Sequence, residues 1–208
     1  MKKLRTVEIS LLFGVLFALI WGSGTAHAQN ELSDSLIRLH VIANSDSSKD
    51  QEHKLAVRDA ILTLVSDWGA GAENVEEMKT ILSSNLFLLE EAGEEILRER
   101  GCHDPVNATV TDCHFPTKDY NGFSLPAGSY TALRIEIGNA EGANWWCVAF
   151  PPLCIGSSAE NMEEAVRTGF FTREQVEFIS GSGNGYILKF RSMELLGRIK
   201  AFVFNDRI

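Results

Sequence analysis

One stretch, residues 144–154 (N-W-W-C-V-A-F-P-P-L-C), limits the possible folds more than any other part of the 208-residue chain. From Trp145 to Phe150 it carries no charge, which fits a strand buried on both faces better than one alternating between core and water. Pro151 and Pro152 then have to end the pairing, because neither can donate a ladder hydrogen bond. Adjacent strand residues point to opposite faces, so Trp145 and Trp146 serve different layers and at most one is free for a partner.

The remaining elements are read around that strand. Residues 36–43 (L-I-R-L-H-V-I-A) set apolar side chains between Arg38 and His40 and predict another strand. Asn44, Ser45, Asp46 and Ser47 favour turns and helix caps. Residues 51–68 then change period, with Val57, Ile61, Leu64, Val65 and Trp68 on one helical face. A polar turn between strand and helix can form an anion site, although every helix needs a cap and few need a site. Asn74 with Glu77 opens a second helical region that Gly101 stops, and Gly93 is placed to divide it. Strands are expected over 106–115 and 129–137, with a loop over 116–126, and 138–143 reads as a hairpin joining 129–137 to 145–150. Thr172 with Gln175 opens a short helix to about residue 179; a glycine-rich turn (181–185), a strand (186–190) and a helix (193–204) complete the expectation. The class is α+β: a single domain in which an antiparallel sheet is packed by helices.

The first 28 residues stand apart. Lys2, Lys3 and Arg5 precede an apolar run over 9–21, and Ala26-His27-Ala28 is an A-x-A site. In that order these are the parts of a secretory signal peptide, expected to be cleaved after Ala28 with 29–208 as the mature domain. The competing reading is an uncleaved membrane anchor, against which Gly22 to Thr25 dilute the apolar length below the ~20 residues of a spanning helix. The formal charge is −9, and removing a leader of net +2 leaves −11. So acidic a surface suits neither nucleic acid nor anionic lipid headgroups. All four cysteines, Cys102, Cys113, Cys147 and Cys154, lie in the exported part. An oxidising compartment permits two disulfides in any of three connectivities, Cys102 with Cys113 and Cys147 with Cys154 being the local scheme.

Chemistry is harder to find. A nucleophile reading would take Cys147, with His114 or His40 as base and Asp46 to orient it. Yet a central apolar strand raises a thiol pKa where catalysis needs it lowered. The Cys102-His103 and Cys113-His114 pairs lack metal-site spacing, because neighbours on a strand diverge. No metal or cofactor is expected, and the 181–185 loop lacks the lysine of a phosphate-cradling motif.

Two blocks carry a resemblance. Residues 36–51 (L-I-R-L-H-V-I-A-N-S-D-S-S-K-D-Q) with 54–61 (K-L-A-V-R-D-A-I) form the first; 125–138 (L-P-A-G-S-Y-T-A-L-R-I-E-I-G) with 144–154 form the second. The chain resembles the stage II sporulation protein R family of endospore-forming bacteria, from about residue 36 to 154. That resemblance implies a protein made in the forespore and exported into the intermembrane space. There it would trigger a mother-cell membrane aspartic protease that removes the inhibitory pro-sequence of sigma-E. It implies no catalytic set and no small-molecule substrate, so a trigger rather than an enzyme is expected. Asn44, Ser45, Asp46, Trp146, Pro151 and Pro152 are the contact residues we select. The rival classes are a cell-wall hydrolase and a wall-binding module in the same compartment.

Overall fold

The computed structural model describes residues 12–14, 29–120, 123–151, 166, 167 and 169–180. The leader apart from 12–14, the cleavage site, Pro152, Cys154 and everything expected beyond residue 180 lie outside them. Residues 12–14 are helical, and no helix among the described residues is long and apolar enough to cross a membrane.

The described chain runs from a short helix at 29–34 (α1) into β1 (Ile37–Ile42) and then three helices, α2 (Ser48–Gly69), α3 (Val75–Ser84) and α4 (Leu86–Glu99). β2 (Val106–Phe115), β3 (Lys118–Tyr120), β4 (Phe123–Leu125), β5 (Gly128–Ile137), β6 (Asn144–Phe150) and α5 (Arg173–Ser180) follow. The class is α+β in one domain, as read, but the main sheet is mixed rather than antiparallel. Its order is β2-β5-β1-β6, with β1 parallel to β5 and antiparallel to β6.

The expected hairpin between β5 and β6 therefore does not form. β1 lies between them, and the 138–143 connection bridges its end. Glu141 N–H donates to Asn44 O at 3.2 Å and Gly142 N–H to Ala43 O at 2.9 Å. Among the described residues β1 is the central strand, all six of its residues being buried, whereas β6 is the last strand of the sheet, exposed at Asn144 and buried on both faces only from Cys147 to Phe150. β6 also carries a bulge: Ile37 pairs with Phe150 and Arg38 with Val148, so two intervals on β6 match one on β1. The slip brings Phe150 onto the same face as Cys147 and Ala149.

That face carries the larger core. Leu39, Val41, Leu133, Ile135 and Ile137 meet Val57, Ile61 and Val65 of α2, Met78 and Leu82 of α3, and Leu89 and Leu97 of α4. The caps explain where these helices begin. Ser47 accepts from Asp50 N–H at 3.1 Å and Asn74 from Glu77 N–H at 2.9 Å. Asn85, not Gly93, separates α3 from α4. Gly93 is buried inside α4, and a Cβ there would stand 2.9 Å from Val106 Cγ1. It permits close approach of helix to sheet. Gly101, at φ 69°, closes α4 in a Schellman turn, with Cys102 N–H donating to Leu97 O at 2.9 Å.

Among the described residues, only half of the opposite face is covered. Leu32 and Leu36 near α1, Phe123 and Leu125 of β4, and Phe171 and Ile179 around α5 form a second core against Phe115, Tyr130, Ala132 and Val148. The β3–β4 hairpin lies where a loop was expected, with Tyr120 paired to Phe123. Thr172 and Gln175 exchange the two bonds of a capping box at the start of α5, at 2.8 and 3.1 Å.

Candidate functional site

The half of that face that no described residue covers borders a cleft of about 640 Å³. β1 supplies His40 and Ile42, β5 supplies Arg134, β6 supplies Asn144 and Trp146, and the end of β2 supplies Asp112, Cys113 and His114. Period-2 alternation explains the floor: with Leu39, Val41, Leu133 and Ile135 in the larger core, His40 and Arg134 must face the other way.

Trp146 is half-buried and stacks on His40, their ring centroids 3.8 Å apart at 19°, with the Phe115 ring centroid 4.7 Å away in an edge-on arrangement. His40 Nε2 lies 2.8 Å from Asn144 Oδ1. An amide oxygen accepts, so Nε2 carries the proton and Nδ1 holds a lone pair. Burial disfavours the imidazolium and lowers the His40 pKa to about 4. Arg134 pairs with Glu136 at 2.5 Å. Burial pushes the Cys113 thiol up, with Arg134 pulling the other way. Such a thiol is a poor nucleophile.

Beneath the covered half lies a residue whose role periodicity does not reveal. Arg38 is fully buried, its guanidinium carbon 4.2 Å from the Phe115 centroid and 5.0 Å from that of Tyr130. Nε donates to Cys147 O at 3.2 Å and Nη2 to Tyr120 Oη at 2.6 Å. Tyr120 passes a hydrogen bond on to Trp146 O at 3.4 Å. Desolvation lowers the Arg38 pKa, partly offset by the two tyrosines. The arrangement ties central β1 to the β3–β4 hairpin and to the backbone that carries Trp146.

The polar turn after β1 forms the rim. Asn44 Oδ1 accepts from Asn139 N–H at 2.9 Å and Asp46 Oδ1 from Ala143 N–H at 2.7 Å. Ser45 Oγ and Asn44 Nδ2 donate to Asp50 Oδ2, and the Ser45 hydroxyl does most to hold that carboxyl below its usual range. Lys54 Nζ reaches Ala143 O at 2.9 Å. Asn44 and Asp46 thus hold the connection into β6 while Ser45 ties the turn to α2, Asp46 remaining exposed. The anion site considered for this turn holds the Asp50 carboxylate instead. Of the other selected contact residues, Trp146 opens to the cleft, Pro151 is buried, and Pro152 lies outside the described residues.

The nucleophile set is not brought together. Cys147 faces the helical core, His40 the opposite side of the sheet, and Asp46 is bonded at the rim. Among the described residues no three His, Cys, Asp or Glu side chains cluster to hold a metal ion. Cys102 and Cys113 are both free, so the local bridge between them is absent.

Comparison with known proteins turns this geometry into a family assignment. Residues 33–160 match the family described as stage II sporulation protein R. The chain belongs to that family. A stage II sporulation protein R of Bacillus subtilis (strain 168) is 36% identical over 147 residues, covering 69% of this chain and 66% of that relative. No solved structure matches. The family match takes in β1 through β6, and so the rim, the cleft and the Arg38 cage, whereas α5 lies beyond it.

Proposed function

We propose that the mature domain is an exported sporulation signal. It acts in the space between forespore and mother cell, where it activates a membrane-embedded aspartic protease that processes pro-sigma-E. The observation that carries this reading is membership of the stage II sporulation protein R family. The basic–apolar–A-x-A pattern of residues 1–28 supports export.

On this reading the domain is a ligand and not a catalyst. To raise protease activity a hundredfold it must bind the active state more tightly than the inactive one by about 2.7 kcal/mol. The cleft supplies the contact: an aromatic floor, Arg134 and the backbone rim held by Asn44, Ser45 and Asp46. A half-exposed tryptophan locked by stacking loses little entropy on docking. The compartment also favours a bridge, and with Cys102 and Cys113 free it falls to Cys147, whose sulfur is bonded. We pair it with Cys154.

The test is purified mature domain added to the protease in liposomes with pro-sigma-E as substrate. Cleavage should rise with domain concentration and fall by at least about tenfold for Trp146→Ala, a loss of roughly 1.4 kcal/mol. Unchanged cleavage on adding the wild-type domain would overturn direct activation.

A further inference from the structure

Among the described residues β2 is an edge strand, yet only half of its outer edge is guarded. Glu90 Oε1 accepts from Ala108 N–H at 2.9 Å and Glu94 Oε1 from Val106 N–H at 3.5 Å. Strand period then turns the N–H groups of Val110, Asp112 and His114 outward as well. Among the described residues none of these three is bonded. A bare edge of this kind templates strand addition.

The adjoining surface is unusual too. Residues 80–89 (T-I-L-S-S-N-L-F-L-L) contain no charge in a chain that is 23% charged. They form the α3–α4 corner, where Phe87 is 70% exposed and Leu88 45%. The two glutamates give the register: four residues of α4, about 6 Å of rise, step past two of β2, about 6.7 Å. One turn further, Leu86 reaches the level of Val110, and both pack on the same core. The Phe87–Leu88 corner therefore flanks the edge where the glutamates stop, and Asp112 and His114 at that end also line the cleft.

We propose that the open edge at 110–114 receives an extended strand from a partner protein, with Phe87 and Leu88 covering one face of the added strand. This deepens the protease-activator reading and rests on it. Charge decides the partner. Two copies pairing β2 with β2 would bring together two chains each of formal charge −9. Anionic headgroups meet the same repulsion. On the protease-activator reading the strand comes from the protease, with apolar residues at alternate positions and Lys or Arg beside Asp112.

Two folded variants test this in the liposome assay. Asp112→Pro deletes an outward N–H while leaving the β5 ladder intact, and Phe87→Ser with Leu88→Ser strips the corner. Each should keep cooperative melting and lose about tenfold in activation, as expected when edge hydrogen bonds or their apolar cover are removed. Wild-type activity in both variants would overturn strand addition while leaving protease activation standing. Inactive wild-type domain would instead refute the activator reading, and this inference with it. A wild-type dimer that Asp112→Pro dissolves in sedimentation would assign the edge to a second copy. Phe87-dependent binding to protein-free liposomes would assign the corner to lipid. Either result also overturns the proposal.

Discussion

Gly93→Ala is the substitution whose outcome the packing of α4 on β2 fixes most narrowly. Alanine in mid-helix gains about 1 kcal/mol over glycine from propensity alone. Against this, the new Cβ would lie 2.9 Å from Val106 Cγ1, 3.2 Å from Cγ2 and 3.4 Å from Cβ. Valine cannot rotate away, since its χ1 is stiff and Val106 is held in register opposite Ile137. The helix is also tied down on both sides of the contact by Glu90 and Glu94. Overpacking of this kind costs about 1–3 kcal/mol, so set against the propensity gain we expect a net loss of about 0–2 kcal/mol. For a domain of this size that is a fall in Tm of up to roughly 6 °C. The assay is thermal and urea unfolding of the mature domain, with Val106→Ala as a second background. There the clash is relieved, and Gly93→Ala should become neutral or stabilising. Stabilisation in the wild-type background would refute the close approach of α4 to β2.

Three other expectations follow from single contacts. His40 has a folded pKa of about 4 against an ordinary 6.5. The unfolded chain therefore binds more protons between those values, and stability falls as pH falls through that window. Wild type should lose about 2 kcal/mol more than His40→Gln between pH 7 and pH 5 in urea titrations; parallel losses would refute it. Tyr120→Phe removes the acceptor of Arg38 Nη2 and should cost about 1–3 kcal/mol by leaving a buried charged donor unpaired, read as a lower urea midpoint at unchanged slope. Thiol counting on denatured, unreduced mature protein should find Cys102 and Cys113 free; one thiol or none would show that they are bridged.

The elements were legible because period and capping are local. The span of β2, the Asn74 and Thr172 caps and the Gly101 stop all follow from adjacent residues. Pairing was not legible: chain neighbours joined by six residues suggest a hairpin, and nothing local to 138–143 shows that β1 enters between β5 and β6. The same insertion hides Arg38, since a charge in an alternating strand reads as a solvated face until Phe115, Tyr120 and Tyr130 arrive from elsewhere. Gly93 looked like a break because glycine weakens helices; its partner, Val106, is distant in sequence. The β3–β4 hairpin had a signal, Asn121-Gly122, the dipeptide that two-residue hairpins prefer. Of the cleft, Trp146 and His40 are legible only singly, because their stacking depends on the β1–β6 register.

Pro-sigma-E processing in sporulating cells lacking this chain tests the central claim most directly, with the full-length form and a form without residues 1–28 each supplied in turn. The account predicts that processing is lost, that the full-length chain restores it, and that the leaderless form, though present at equal level, does not. Normal processing in the deleted strain would contradict it.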